Sequence, residues 1–224
     1  MKEKIRGLIE SHPGFFKILF RVYNGMKFKN KLRGKGYKLS MGICMINGLK
    51  IINKGIDNEI IIGEWTHIND STVIINGNHN RLVIGACTLV MRTEFYMEDD
   101  NNEILVGDRY TFNGKAHVAA IEGTKIVFGD DGGTSQNTHF TTSDGHPIYD
   151  EQGQRINPAK DIIIDERVWI GTKVTCMKGV QVAHDSVVAA TTTLTKAFDE
   201  PNVIIAGVPG KIVKRGITWD WQRH

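Results

Sequence analysis

One interval governs this chain. The segments EIIIGE, RLVIGA, EILVGD and KIVFGD carry glycines at 63, 85, 107 and 129, each 22 residues after the last. The columns beside them match as well: Ile60, Leu82, Ile104 and Ile126 in one, Ile62, Ile84, Val106 and Phe128 in another. A unit this short cannot bury its apolar side chains alone, so successive units must stack to make a core.

The second half shortens the interval. Ile164, Ile170, Cys176, Val182, Val188 and Leu194 lie six apart, with Ile162, Val168, Val174, Val180, Ser186 and Thr192 two residues before them. Two inward positions in every six fit neither the 3.6 period of a helix nor a long alternating strand. The pattern predicts an all-β solenoid, a parallel β-helix in which each short strand pairs with the one a coil later. No proline occurs between Pro13 and Pro147, which leaves backbone N–H groups free for ladder bonds. Asn58, Asn80 and Asn102, followed by Thr124, form a polar column that predicts an amide ladder between layers. The next column reads Glu59, Arg81, Glu103, Lys125. Alternating signs on adjacent strands predict pairing of roughly 0.2–1 kcal/mol each, fixing register.

The 28 Lys and Arg against 25 Asp and Glu hide an asymmetry: residues 1–38 hold eleven basic residues and two Glu. Positive charge confined to one arm argues against a global nucleic-acid binder and suits an arm meeting an anionic surface. Phe15, Ile18, Leu19, Val22 and Met26 lie at helical spacing behind Pro13. Residues 1–38 therefore read as a short basic amphipathic N-terminal helix that caps the first coil, touches a membrane surface, or does both. Residues 39–198 read as the β-helix, and 199–224 as a C-terminal tail. No apolar run approaches the ~18 residues of a membrane span. The Phe15–Phe20 run is short and broken by Lys17, unlike a signal-peptide core. Cys44, Cys87 and Cys176 are too scattered for a disulfide framework. A cytoplasmic protein is expected. Between His146 and Asp161 the repeat breaks, and 147–160 reads as a loop thrown out from a coil corner, where binding functions concentrate.

The hexapeptide run, VWIG (168–171), VVAATTTLTK (187–196) and AGVPGKIVK (206–214) resemble the hexapeptide-repeat acyltransferases. TTSDGHPIYD followed by RINPAKDIII narrows the likeness to bacterial capsular and surface polysaccharide O-acetyltransferases, including the polysialic acid O-acetyltransferases. The resemblance implies a left-handed β-helix, a homotrimer with sites between subunits, acetyl-CoA as cosubstrate, a glycan or sugar-precursor acceptor and no metal.

A sugar hydroxyl is a poor nucleophile until a base takes its proton, and an imidazole, with a free pKa of about 6.5, suits that task. The resemblance assigns it to His146. Trp169, between the inward-facing Val168 and Ile170, is expected outward beside the CoA arm or acceptor. For CoA the resemblance implies backbone contacts at Thr172 and Ala190, Thr195 at a matching position, and Lys211 and Lys214 near the nucleotide phosphates. Lysine there keeps the charge but loses the bidentate fork of arginine. Asp144 is expected to orient the imidazole, bind a sugar hydroxyl or stabilise the turn at Gly145. Tyr149, Arg155 and Lys160 are expected to meet the acceptor.

Two alternatives remain. A sugar N-acetyltransferase would use the same residues. A metal hydratase resembling the γ-class carbonic anhydrases would use His117, His139 and His146, the first two 22 apart and hence in adjacent coils.

Overall fold

Short apolar runs interrupted every few residues by Gly, Asp or Asn cannot extend into long strands; they bend at fixed intervals. In the structure, a computed structural model that describes residues 11–27 and 29–222, the strands are two to five residues long. They wind into a left-handed parallel β-helix of about seven turns behind one short helix, Pro13–Met26 (α1).

The chain visits three sheets in rotation. The first runs from Tyr37–Met41 to Gln181–Val182, the second from Met45–Asn47 to Val203–Ala206, the third from Lys50–Asn53 to Thr193–Leu194. The cross-section is a triangle. Corner one joins the first and second sheets, corner two the second and third, and corner three returns to the first. Lys211–Arg215 then turns back and pairs antiparallel with Val203–Ala206.

Both sequence intervals are coil lengths. Glu59 pairs with Arg81, Arg81 with Glu103 and Glu103 with Lys125, all 22 apart, whereas Ile164 pairs with Val182 at 18. The longer coil carries its extra residues at corner three, in segments such as Asn76–His79. All twelve inward positions of the six-residue pattern are buried. The wider coils hold aromatic rings instead: Phe112 and Phe128 meet at 5.1 Å, Phe128 and Phe140 at 5.0 Å, and Tyr110 and Phe112 at 4.9 Å. At the 22-residue glycines the coils nearly touch. A Cβ on Gly85 would stand 2.5 Å from the carbonyl carbon and oxygen of Gly107.

The asparagine column bonds mainly from side chain to backbone. Asn58 Oδ1 accepts from Asn80 N (2.7 Å), Asn80 Oδ1 from Asn102 N (2.8 Å) and Asn102 Oδ1 from Thr124 N (3.1 Å). One amide–amide bond, Asn102 Nδ2 to Asn80 Oδ1, adds to it. In the charged column Arg81 bridges Glu59 (3.2 Å) and Glu103 (3.7 Å), while Lys125 reaches Asp161 at 3.9 Å.

α1 does not cap the coil with its apolar stripe. Phe15, Ile18, Leu19, Val22 and Met26 are all exposed, and the one buried helical residue is Asn24. Its Nδ2 donates to Cys44 O (2.9 Å) and its Oδ1 accepts from Ile46 N (3.0 Å), so the helix is latched to the first coil by a polar side chain. Among the described residues no helix is long and apolar enough to cross a membrane.

Candidate active site

The 147–160 loop leaves the solenoid at corner three and returns without disturbing the ladder, since Ile126 pairs directly with Ile162. Three ties hold it. Ile156 N donates to Ile148 O (2.9 Å), closing it on itself. Arg155 grips Glu122 with both ends of its guanidinium, Nη1 to Oε2 at 2.6 Å and Nη2 to Oε1 at 2.9 Å, and Ser143 Oγ donates to the same carboxylate at 2.7 Å. Arg155 and then Ser143 pull the Glu122 pKa down to about 2.

Asn157 is the third tie. Its Oδ1 accepts from Ile148 N (2.6 Å), and its Nδ2 donates to Asp144 Oδ2 and to His146 O, both at 2.9 Å. Lys178 Nζ donates to Asp144 Oδ2 (2.6 Å) and Asn157 O (2.9 Å). Lys178 and then Asn157 hold the Asp144 carboxyl below its ordinary range. These bonds fix the His146 backbone and leave its imidazole exposed, with no hydrogen bond among the described residues. The sequence offered no sign of Glu122, Ser143, Asn157 or Lys178, apart from the turn-forming pair Asn157-Pro158.

Arg155 has its fork on Glu122. Lys178 and Asn157 bond Asp144 Oδ2, and no hydrogen bond joins Asp144 to the imidazole among the described residues. Tyr149 and Lys160 remain exposed on the loop.

Trp169 points outward from the second sheet, 42% exposed, with Nε1 donating to Ser135 Oγ at 3.3 Å. The tail runs back along corner one and packs beside it. Trp219 lies 6.1 Å from Trp169 and 5.1 Å from Trp221. Trp219 Nε1 donates to Arg167 O (2.7 Å), Arg167 Nη2 donates to Trp219 O (3.1 Å), and the Arg167 guanidinium sits 5.7 Å from the Trp219 ring. Trp221 lies so close over Gly133 that a Cβ there would collide with its ring. The tail thus packs on its own chain.

Thr172 and Ala190 lie one coil apart at corner two, where Thr191 N donates to Thr172 O (2.8 Å). Thr195 follows the last strand of the third sheet and shares corner three with the loop. Lys211 helps line a cleft of about 340 Å3 with Lys196, Ile212 and Arg215, and Lys214 is exposed on the same strand. The topology therefore separates these residues. Corner three, bearing His146, is opposite the second sheet, bearing Trp169. A site using both needs two copies of the chain.

His117 and His139 stack in adjacent coils, rings 4.9 Å apart and 7° from parallel, and His117 Nδ1 bonds Glu94 Oε1 at 2.9 Å. Burial and then His117 lower the His139 pKa. Among the described residues no group of three or more His, Cys, Asp or Glu could hold a metal ion.

Three-sided coils of 18 residues, an external loop and a basic C-terminal strand define a hexapeptide-repeat solenoid. The chain belongs to the hexapeptide-repeat acetyltransferases that include the polysialic acid O-acetyltransferases. It superposes on the crystal structure of the polysialic acid O-acetyltransferase OatWY with a TM-score of 0.82 and 31% identity, covering 86% of this chain and 91% of that one. The polySia-specific acetyltransferase NeuO gives 0.58 and 26%, covering 86% of each chain. In sequence it is 36% identical over 116 residues to a polysialic acid O-acetyltransferase of Escherichia coli O1:K1 / APEC, and 33% over 110 to one of Neisseria meningitidis. Those alignments span 51% and 49% of this chain but only 37% and 51% of the two relatives. No family model matches the chain.

Proposed function

We propose that the protein is an acetyl-CoA-dependent O-acetyltransferase, cytoplasmic and homotrimeric, that modifies a sugar hydroxyl of a bacterial surface polysaccharide or its precursor. One observation carries this reading: the loop is tied down on both sides of His146, yet the imidazole itself is uncommitted. That is what a general base requires, a fixed position and a free ring nitrogen.

Acetyl-CoA supplies an acetyl group already activated as a thioester. His146 takes the proton of the acceptor hydroxyl as its oxygen bonds to the acetyl carbon. The imidazolium then returns that proton to the departing sulfur, leaving the residue neutral for the next turnover. No covalent enzyme intermediate is needed. Charge developing on the acetyl oxygen calls for a backbone N–H at the subunit boundary. Trp169 lines the site from the neighbouring subunit, which brings the second sheet of one copy against corner three of the next. Thr172, Ala190 and Thr195 meet the pantetheine arm, and Lys211 and Lys214 the phosphates, where Lys196 adds positive charge while Arg215 is paired with Glu200. Tyr149 and Lys160 face the acceptor, whereas Arg155 and Asp144 act by shaping the loop.

Calorimetric titration with acetyl-CoA, beside CoA, tests the donor. Saturable micromolar binding is expected, and none to well-folded protein would remove the donor assignment. His146→Ala is expected to keep donor binding and assembly while losing transfer by at least a hundredfold, within the usual range for a general base. Transfer retained after that change would refute the base.

A further inference from the structure

The N-terminal end of the solenoid combines three features that a simple cap would not. First, the apolar stripe of α1 faces away from the protein. Phe15, Ile18, Leu19 and Val22 fall on one side of the helix within eight successive positions, and at 100° per residue Asn24 falls about 180° from the centre of that stripe. Because Asn24 is 1% exposed against the first coil, the stripe must point outward; Ile18 is 67% and Met26 79% exposed. Second, the end carries charge of one sign. Residues 11–56 contain ten Lys or Arg and no Asp or Glu, Asp57 being the next acid after Glu10. Among the described residues only Lys38 of these ten has a carboxylate partner, Glu59 at 3.8 Å. Third, an open cleft of about 910 Å3 separates α1 from the first coil, with Arg21, Lys31 and Arg33 on its walls beside Leu32 and Met41.

We propose that this end is a docking surface for an anionic bilayer. α1 lies in the membrane plane with Phe15, Ile18, Leu19, Val22 and Met26 among the upper acyl chains. The basic first coil, with Lys38, Lys50 and Lys54, rests over the headgroups, and the cleft takes a lipid phosphate on Arg21, Lys31 and Arg33. An amphipathic helix with an apolar face and a basic polar face binds membranes in this way. Charge favours this occupant over a second copy of the chain, since ten cations on each copy, nine of them without a carboxylate partner among the described residues, would repel across such a contact. The apolar stripe favours it over a free anionic glycan, which would leave five large side chains in water. The His146 loop departs four coils beyond the first strand of the third sheet, about 19 Å higher at the usual strand spacing. On the transferase reading, docking would hold the active site within reach of a lipid-linked acceptor. The docking itself does not depend on that reading.

The test is co-sedimentation of the full chain with vesicles of 3:1 phosphatidylcholine:phosphatidylglycerol, beside pure phosphatidylcholine. Two variants accompany it, Ile18→Ser/Val22→Ser and Lys31→Gln/Arg33→Gln, each also measured for assembly state and for acetyl transfer to a soluble acceptor. Expected are saturable binding to the anionic vesicles, at least tenfold weaker binding to the neutral ones, and at least tenfold weaker binding by both variants with assembly unchanged. Absence of binding to anionic vesicles overturns the proposal, as does full binding by the Ile18/Val22 variant. A changed assembly state in that variant would instead make the stripe a contact between copies. Vesicle binding without acetyl transfer by any form would reject the transferase reading and leave the docking intact.

Discussion

Replacing Asn157 by alanine isolates the loop from the scaffold. Besides a long hydrogen bond from Arg155 Nε at 3.5 Å, the buried side chain makes three short ones, from Ile148 N and to Asp144 Oδ2 and His146 O. At a net ~0.5–1.5 kcal/mol each, their loss costs about 1.5–4.5 kcal/mol. The ladder from Ile126 to Ile162 runs without the loop, so this loss falls on loop position rather than on the fold. If the transition state needs the fixed His146, about ten- to two-thousandfold is lost from kcat/KM, at about 1.36 kcal/mol per factor of ten. The assay is steady-state release of CoA thiol with an acceptor glycan, beside thermal unfolding. A tenfold or larger fall in kcat/KM with Tm within a few degrees of the parent is expected. Asn157→Asp keeps the acceptor for Ile148 N but sets a second carboxylate against Asp144, and should be no better than alanine. Unchanged kcat/KM in both variants would show that the loop does not position the base, and the reasoning from a pinned loop would fall with it.

Gly85→Ala places a Cβ 2.5 Å from the Gly107 backbone and should destabilise by about 1–3 kcal/mol, lowering Tm by ~2–4 °C per kcal/mol. Gly25→Ala, with open space around it, should leave Tm level or raise it. Glu122 has its pKa held at about 2 by Arg155 and Ser143. A carboxylate lowered in the fold stabilises it above the unfolded value of ~4.3 and loses that contribution as pH falls through the folded one. Protease cleavage within 147–160 should therefore rise between about pH 4.3 and 2, and Glu122→Gln should show the loosened loop already at pH 7. Trp219→Leu removes the bond to Arg167 O and the ring beside its guanidinium; the tail beyond Gly216 should become protease-sensitive, with Trp169 emission shifted to the red.

The coils were legible because burial in a solenoid repeats with the chain: Ile60, Leu82, Ile104 and Ile126 had to share an environment if any of them was inside. The loop could be seen as an interruption, and His146 within a motif. What held the loop could not be seen. Glu122, Asp144, Asn157 and Lys178 are separated by up to 56 positions and meet only because coil register stacks corner three. The partner of Arg155 could not be seen for the same reason, since Glu122 lies in an earlier coil. The stripe on α1 was plain from its spacing, but the side that faces the solenoid is decided by Asn24, a polar residue that no apolar pattern marks. Trp219 and Trp221 lie outside any repeat, so periodicity had nothing to say about where they dock.

The 147–160 loop has one more consequence. Ile126 meets its ladder partner Ile162 after 36 residues, twice the interval from Ile164 to Val182. The solenoid thus registers the excursion as though it were not there, and lengthening such a loop adds closure entropy only slowly. The segment is a cassette. It could be exchanged for one of different length and chemistry, provided the incoming segment kept an asparagine to meet Asp144 and an arginine to meet Glu122, and the coils before and after would still find each other. New acceptor preferences could then arise by grafting on an unchanged scaffold.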